Sequence, residues 1–230
     1  MSAGVLVVFA KAPLPGRVKT RLSPPLTLEQ AAALYAAMLA DVLEASAGFA
    51  RRLDLRPVVA VDPADARRGL AREAPRGFCV VPQRGASLAR RLDWASREWA
   101  ASGARRVLLR GSDSPLLDGD QLAEALASLE EVDLVVAPDR DGGYSLIGLR
   151  SPVPGLFDQA MSTANVMRDT LANARAAGLR TRTLAPGFDI DRVEDLRELA
   201  AARQRGVTEL CPRTLAYLDE QRLWRFAGGP

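Results

Sequence analysis

The sequence contains no histidine among its 230 residues and only two cysteines, Cys79 and Cys211. The absence of histidine excludes every Ser–His or Cys–His nucleophile system and every metal site with a histidine ligand. The two cysteines lie far apart and fit no metal-ligand spacing, which is typical of a protein from a reducing compartment. We therefore expect a cytoplasmic protein whose chemistry rests on carboxylates, lysine, arginine, backbone amides and, where one is needed, a hard cation.

Long hydrophobic runs and long basic runs are also missing. No apolar run approaches the length of a membrane span, and the apolar start of the chain continues into a Pro/Gly loop without a preceding basic segment, so it predicts a first strand rather than a signal peptide. The 31 lysine and arginine residues leave a net charge of only +3 and are scattered as short pairs among acidic residues. This pattern is typical of solvated helix faces, and it predicts neither a membrane span nor a nucleic acid polymer as a partner.

Apolar runs of strand length alternate with helical patterns along the chain. We predict strands at residues 4–10, 57–61, 78–82, 105–111, 133–138, 143–149 and near 179–184. We predict helices at residues 27–48, 87–102, 118–131, 163–177, 192–205 and 212–222, and a short one after 62–63. Thr27 and Gln30 stand in capping-box positions. The alternation predicts one α/β domain over residues 1–230, with a mostly parallel sheet, helices on both faces and one antiparallel excursion between the fifth and sixth strands.

Lysine is nearly absent, since the chain has only Lys11 and Lys19, and both follow the first predicted strand in "VFAKAPLPGRVKTRL". Prolines and Gly16 make this loop rigid but able to bring its backbone close to a ligand. Together with Arg17 and Arg21, the lysines place four cations within eleven residues, which suits a diphosphate. A basic surface loop with lysines placed by chance is the alternative. We favour phosphate binding because arginine replaces lysine easily on a solvated face but less easily at a phosphoryl oxygen.

Acidic residues follow two other predicted strands, at the sheet edge where open α/β folds bind ligands. In "GSDSP", Asp113 ends a buried strand and suits Mg²⁺ or Mn²⁺ shared with substrate phosphates, although a turn cap would also explain it. In "FDIDRVEDL", Asp189 and Asp191 leave a strand end, and one of them is expected to supply a second metal ligand. Asp191 could equally cap the helix that starts at Arg192.

The turn "PDRDGGY" joins the fifth and sixth predicted strands. Its Asp-Gly pair is a strong hairpin signal. Two glycines at the same sheet edge also allow a sugar or an acceptor to approach the backbone closely. We therefore predict that Asp141, Gly142 and Gly143 contact the sugar or the acceptor.

Four segments in this order and spacing, "FAKAPLPGRVKTRL", "GSDSPLL", "PDRDGGYSLIGL" and "DIDRVEDL", resemble a bacterial glycosyltransferase-like family. That family belongs to the nucleotide-diphospho-sugar transferase (GT-A) superfamily, as do the molybdenum-cofactor nucleotidyltransferases and 2-phospho-L-lactate guanylyltransferase. The resemblance spans roughly residues 4–200. It implies a Rossmann-like GT-A fold, a nucleotide held by the first loop and a divalent metal near Asp113.

Three functions follow from these observations. In a metal-dependent glycosyltransferase, an acceptor hydroxyl would attack a nucleotide sugar, and this reading leads because the family resemblance is closest there. In a nucleotidyltransferase, a phosphorylated small molecule would attack the α-phosphorus of a nucleoside triphosphate and release pyrophosphate. The single aspartate of "GSDSP" resembles that group more, since glycosyltransferases usually carry Asp-x-Asp there. In both enzymes Lys19 and Asp113 are the predicted catalytic residues. A non-catalytic nucleotide-binding protein is the third possibility.

Overall fold

A computed structural model of the protein describes residues 4–161 and 163–227. In these ranges the strands are β1 (Gly4–Lys11), β2 (Leu55–Asp62), β3 (Cys79–Pro82), β4 (Val107–Gly111), β5 (Leu134–Pro138), β6 (Tyr144–Leu149) and β7 (Thr181–Thr183). The α-helices there are α1 (Leu28–Arg52), α2 (Arg67–Glu73), α3 (Leu88–Ala101), α4 (Gly119–Glu131), α5 (Val166–Ala176), α6 (Leu196–Gln204) and α7 (Pro212–Glu220). The alternation of strand and helix is the one that the sequence predicts.

The strands form one sheet in the order β3-β2-β1-β4-β6-β5-β7. β1 is parallel to both β2 and β4, β2 is parallel to β3, and β5 is parallel to β7. β6 is antiparallel to β4 and β5, which confirms the predicted antiparallel excursion. β1 lies inside the sheet between β2 and β4, and Val5, Leu6, Val7 and Val8 are buried, as expected for a continuous apolar run in a strand covered on both faces.

Helices cover both faces of the sheet. On one face α3 and α5 pack against alternate residues of β1, β4 and β6, in a cluster that includes Val7, Leu109 and Trp99. On the other face α1, α2 and α4 cover the remaining residues, among them Val8 and Leu108. α6, α7 and the following turn pack on α1 in a separate cluster. The sheet therefore presents its carboxyl edge, with the loops after β1, β4 and β5, as the accessible region.

Helix α1 is the longest helix of the described residues and starts with the predicted capping box. The Thr27 side chain accepts from the Gln30 amide, and the Gln30 side chain accepts from the Thr27 amide. The expectation that no segment reaches the length of a membrane span needs a correction, because α1 passes that test by length and composition alone. Its most apolar stretch is 61% buried inside the protein, where α1 packs against β2 and α7. A core helix of a soluble protein passes the same test.

Two boundaries differ from the sequence prediction. The helix predicted at 163–177 begins only at Val166, because Val166 N donates to the Thr163 carbonyl in a turn that precedes the helix. The strand predicted near 179–184 is reduced to β7, since only three of its residues align with β5. Neither difference moves the residues at the carboxyl edge of the sheet.

The ladder between β5 and β6 contains a bulge. Ala137 pairs with Leu146 and Pro138 pairs with Tyr144, so Ser145 has no partner across the ladder. A bulge of this kind changes the direction in which side chains point and is common beside functional sites. Here it lies at the end of β5, where the chain turns through residues 139–143.

Candidate active site

The loops after β1, β4 and β5 surround one cleft of about 690 Å³ at the carboxyl edge of the sheet. The cleft is lined by residues from all three predicted site segments, together with Asp189 and Asp191. The Ile190 amide donates to the Asp113 carbonyl over 3.0 Å, which joins the 189–191 segment to the loop after β4. The sequence-distant motifs therefore converge, as the strand-end argument predicts.

Lys19 lies at the centre of this convergence. Its Nζ is 2.6 Å from Oδ1 of Asp113 and 3.0 Å from Oδ1 of Asp191, and its side chain is only 4% exposed. Burial alone would lower the pKa of Lys19, but the charges of Asp113 and Asp191 outweigh burial and raise the pKa above its usual value. The cleft therefore contains a permanently charged ammonium group whose partners are carboxylates on two other loops.

The backbone of Lys19 is also unusual. Its φ of 49° and ψ of 35° place it in the left-handed region, at the start of the turn Thr20–Leu22. A side chain other than glycine costs about 1 kcal/mol in this conformation, so the surrounding contacts must stabilise it. Such conformations cluster at ligand-binding sites.

The other predicted phosphate-binding residues divide into two groups. Lys11, Arg17 and Arg21 line the cleft, and Nη1 of Arg21 lies 3.7 Å from Asp191 while its side chain stays 60% exposed. Gly16 is not among the lining residues. Its φ of 73° allows the turn that precedes Arg17, and its direct contact with a phosphate stays a prediction.

The carboxyl groups of Asp113, Asp139 and Asp189 lie close enough to influence one another. Asp189 accepts a hydrogen bond from the Ser114 hydroxyl and interacts with Asp139. Burial, with the charges of Asp113 and Asp139, raises the pKa of Asp189 well above its ordinary value. Burial likewise raises the pKa of Asp139. Several carboxyl groups therefore lie close together on this side of the cleft, and a bound cation would relieve their mutual repulsion.

Asp191 does not have the helix-capping role that the sequence left open. Its carboxylate pairs with Lys19, and burial of this carboxylate, which would raise its pKa, is outweighed by the Lys19 ammonium, so the pKa is lowered. The carboxylate of Asp195 instead accepts from the amides of Asp191 and Arg192 at the start of the turn before α6. The turn before α6 therefore begins after Arg192, and the carboxylate that bonds its first amides comes from Asp195 within the turn.

The turn 139–143 contributes unequally to the cleft. Asp141 and Gly143 line it, and the Asp141 carboxylate accepts from the Gly143 amide over 2.9 Å. Gly142 is not among the lining residues, and its contact with an acceptor stays a prediction. A Cβ at Gly142 would lie 2.0 Å from the Ala164 carbonyl oxygen, so a glycine is needed there for close packing of two backbones.

Two buried side chains, Tyr35 and Arg110, fix the positions of the loops after β1 and β4. The Tyr35 hydroxyl accepts from the Lys11 amide over 2.9 Å and shares a 2.8 Å hydrogen bond with Ser112, which joins the loops after β1 and β4. The Arg110 guanidinium is fully buried and donates to the carbonyl of Ser114 over 2.7 Å. Burial raises the pKa of Tyr35 to about 12 and lowers the pKa of Arg110 to about 10, so Tyr35 is neutral and Arg110 charged at neutral pH.

Beyond the first loop, the cleft reaches the end of β3. Gln83 donates to the carbonyls of Ala10 and Ala60 and accepts from Arg91. Arg91 also pairs with Asp62 at 2.9 Å. Because β3 and β5 lie on opposite sides of β1 in the sheet, this group and Asp139 mark the two ends of the cleft.

Several site residues were not predicted from the sequence. Asp139 directly follows β5, so the strand-end argument that selected Asp113 could have selected it too. Ser112 and Ser114 flank Asp113 in the quoted motif. Arg110 and Gln83 have no such signal, since an arginine inside an apolar strand and a glutamine after a short strand are explained only by their three-dimensional contacts.

A family described as an uncharacterized protein conserved in bacteria (DUF2064) matches residues 46–163. The chain belongs to this family. The matched range contains β2 to β6, the loop with Asp113 and the turn 139–143. The predicted resemblance to a bacterial family of the nucleotide-diphospho-sugar transferase superfamily is thereby confirmed, together with the relatives described next.

Relatives of the family carry named activities. The chain is 35% identical over 150 residues to a phosphoenolpyruvate guanylyltransferase of Chloroflexus aggregans. This alignment covers 64% of this chain and 71% of the relative. It is also 35% identical over 187 residues to a 3-phospho-D-glycerate guanylyltransferase of Phenylobacterium zucineum. That alignment covers 79% of this chain and 84% of the relative. With these relatives, the predicted enzyme class is confirmed, and the chain is a transferase.

The fold is also that of solved structures. A protein of Desulfovibrio desulfuricans G20, provisionally named a nucleotide-diphospho-sugar transferase, matches with a TM-score of 0.88 and 32% identity, over 99% of both chains. A cytidylyltransferase of Leptospira borgpetersenii matches with a TM-score of 0.60 over 100% of this chain and 98% of its own, but at 12% identity it shows the fold alone. The predicted Rossmann-like GT-A fold is confirmed.

Proposed function

We propose that the protein is a metal-dependent nucleotidyltransferase that joins a nucleoside triphosphate, with GTP the first candidate, to a phosphorylated small molecule. The observation that carries the proposal is the buried Lys19 ammonium, placed at the cleft edge between Asp113 and Asp191. The relatives named as guanylyltransferases favour this reaction over the glycosyl transfer that the sequence placed first.

In this reaction a phosphate oxygen of the acceptor attacks the α-phosphorus of the nucleotide and forms a new P–O bond. The bond from the α-phosphorus to the oxygen that bridges to the β-phosphate breaks, and pyrophosphate leaves. Lys19 donates hydrogen bonds to the phosphoryl oxygens, on which negative charge is concentrated during transfer. Lys11, Arg17 and Arg21 line the same side and hold the β- and γ-phosphates.

The phosphate-binding loop lies between the two ends of the cleft, which gives the nucleotide an orientation. Its base would extend toward the end of β3, where Gln83, Arg91 and Leu88 line the cleft. Leu88 is 41% exposed and offers an apolar surface on which a base can stack. The acceptor would then occupy the opposite end, beside β5 and β6.

Mg²⁺ or Mn²⁺ fits the donor set of this cleft. Asp113 and Asp189 would supply oxygen ligands, and a cation bound there would relieve the repulsion among the carboxyl groups of Asp113, Asp139 and Asp189. No preformed group of three or more metal-binding side chains exists within residues 4–161 and 163–227. Mg²⁺ is commonly held by one or two carboxylates together with substrate phosphates, so Asp113 and Asp189, with Asp191 alongside, are sufficient. When bound, the metal supplies charge neutralisation on the phosphates.

A pyrophosphate-release assay tests the proposal. The protein is incubated with each of the four nucleoside triphosphates, with Mg²⁺ or Mn²⁺, and with sn-glycerol 3-phosphate, phosphoenolpyruvate or 3-phospho-D-glycerate. We expect pyrophosphate only when metal, nucleotide and a phosphorylated acceptor are all present, with GTP preferred. Absence of pyrophosphate from every combination would exclude nucleotidyl transfer.

Glycosyl transfer is the second candidate, and the overall likeness to the Desulfovibrio desulfuricans protein supports it. In that reaction an acceptor hydroxyl attacks the sugar carbon, and a nucleoside diphosphate leaves. The same cations would bind the leaving diphosphate. Release of UDP or GDP from a nucleotide sugar, with no pyrophosphate from any triphosphate, would favour this candidate.

A further inference from the structure

The end of the cleft beside β5 and β6 differs in chemistry from the end that holds the basic loop. We define the acceptor wall as the lining residues Asp139, Asp141, Tyr144, Ser145, Met161 and Val166. These side chains supply carboxylates, hydroxyls and apolar groups. The wall lines the same cleft as Lys19, so a molecule that attacks a nucleotide bound at the basic loop can lie against it.

The bulge between β5 and β6 places two consecutive hydroxyl side chains on this wall. Tyr144 and Ser145 both line the cleft, whereas successive residues of a regular strand point to opposite faces. The bulge therefore has a specific result, which is that two consecutive residues with hydroxyl groups line the same cleft.

Both hydroxyl groups are buried, and neither forms a hydrogen bond of regular geometry with the described residues. Ser145 is 1% exposed. The Tyr144 hydroxyl lies close enough to Thr170 to donate to its oxygen, but no described residue donates to Tyr144. A buried hydroxyl that lacks partners costs about 1–3 kcal/mol, so these groups at a cleft indicate that a bound molecule supplies the missing partners.

The charge of the wall restricts that molecule. Among the described residues that line the cleft between positions 139 and 191, none is lysine or arginine. Arg140 lies in the adjacent turn, but it pairs with Glu198 and lies over the Phe188 ring. Asp189 and Asp191 lie beside Lys19, and the remaining charged lining residues of this end are Asp139 and Asp141. A carboxylate on the acceptor that extends to Asp139 and Asp141 would therefore meet like charge and no cationic side chain.

We propose that the acceptor is a phosphorylated small molecule whose body beyond the phosphate is uncharged and carries hydroxyl groups, which Ser145 and Tyr144 bind. This inference rests on the proposed nucleotidyl transfer, and the bonds formed and broken are those given above. It separates the chain from relatives whose named acceptors, phosphoenolpyruvate and 3-phospho-D-glycerate, are carboxylic acids. Ser145 and Tyr144 are then specificity-determining residues.

Calorimetric titration with two matched ligands tests this inference without requiring turnover. sn-Glycerol 3-phosphate and 3-phospho-D-glycerate differ at one end, where the first has a hydroxymethyl group and the second a carboxylate. Each is titrated into the protein with Mg²⁺ and a GTP analogue that has a methylene group between its α- and β-phosphorus. We expect sn-glycerol 3-phosphate to bind at least tenfold more tightly.

Variants assign the preference to the hydroxyl groups. Ser145→Ala is expected to weaken sn-glycerol 3-phosphate at least fivefold, without changing the affinity for the GTP analogue or lowering Tm, because the lost hydroxyl has no partner within the protein. Tyr144→Phe should behave similarly. Ser96→Ala is the matched control, since Ser96 is also buried but bonds only its own helix at the Asp93 carbonyl.

Equal or tighter binding of 3-phospho-D-glycerate would overturn the inference, and so would binding of neither ligand. An unchanged affinity in both hydroxyl variants would also overturn it. The proposed function fails separately, when no pyrophosphate is released from any triphosphate. Binding and turnover therefore report on the two proposals independently.

Discussion

The Nζ atom of Lys19 lies 2.6 Å from Oδ1 of Asp113, although the two residues belong to loops that follow different strands of the sheet. Since β1 and β4 are adjacent and parallel, their carboxyl ends bring these loops together. One of only two lysines in the chain is thereby buried against the aspartate that the sequence indicated as the metal ligand. Four predictions follow from this arrangement and its surroundings, in addition to the acceptor experiment above.

Lys19→Met should weaken GTP binding by about 10- to 100-fold, because charge-assisted hydrogen bonds contribute about 1.5–3 kcal/mol. Isothermal titration calorimetry with GTP and Mg²⁺ measures the change. Lys11→Met is the matched control, since Lys11 lines the same cleft but has an exposed side chain. We expect a smaller loss there, and equal losses would show that Lys19 contributes only general positive charge.

Asp113→Asn should remove the metal-dependent part of nucleotide stabilisation. With saturating GTP, Mn²⁺ is expected to raise the Tm of the unmodified protein by about 5 °C or more, given the stabilisation that a ligand supplies at 100 times its Kd. The variant should show the same Tm with and without Mn²⁺ in a thermal-shift experiment. Asp120→Asn is the control, because that side chain is 97% exposed on α4. A full Mn²⁺ response in Asp113→Asn would remove Asp113 from metal binding.

Arg110→Met should lower both stability and activity. The methionine fills similar space, but it leaves the Ser114 carbonyl and the Ser46 hydroxyl without their donor, at about 1–3 kcal/mol for each group. Because Arg110 acts through the loop and touches no substrate, kcat should fall more than the affinity for GTP. Urea unfolding and steady-state kinetics measure the two effects. Arg105→Met, at an exposed position, controls for loss of charge, and an equal effect there would contradict the positioning role.

Asp133 should make stability depend on pH in the acidic range. Hydrogen bonds from Arg180 lower the pKa of Asp133 in the folded protein. A lowered folded-state pKa means that the stabilisation is fully present above the unfolded value of about 3.9 and is lost as the pH falls through the folded value. The Tm difference between the unmodified protein and Asp133→Asn should therefore be largest near pH 7 and vanish once the pH is below the lowered pKa of Asp133 in the folded protein. A difference that grows on acidification would contradict the assignment.

The sequence predicts the fold and the centre of the site well, for reasons that are local. Continuous apolar runs identify the strands, and the carboxyl ends of parallel strands must meet at one edge, so Lys19 and Asp113 are found without coordinates. The contact between their side chains could not be predicted. It depends on the left-handed backbone conformation at Lys19, and a lysine gives no sequence signal for that conformation.

The rest of the site depends on packing that the sequence does not show. The bulge at Ser145 depends on how β5 aligns with β6, and no local signal predicts it. Gly142 was expected to contact an acceptor because glycines permit close approach. Close approach does occur, but to the backbone of Ala164, which is distant in sequence. Asp191 likewise had two possible roles, and only the position of Lys19 decides between them.

The left-handed peptide at Lys19 has a consequence for evolution and engineering of this family. Its unfavourable dihedral angles are compensated by two carboxylates on other loops. A substitution at either aspartate would therefore release the backbone as well as the ammonium group, and the whole basic loop would change shape. The residues at positions 19, 113 and 191 should therefore covary among homologues, since a single replacement alters both the backbone geometry and the electrostatics of the site.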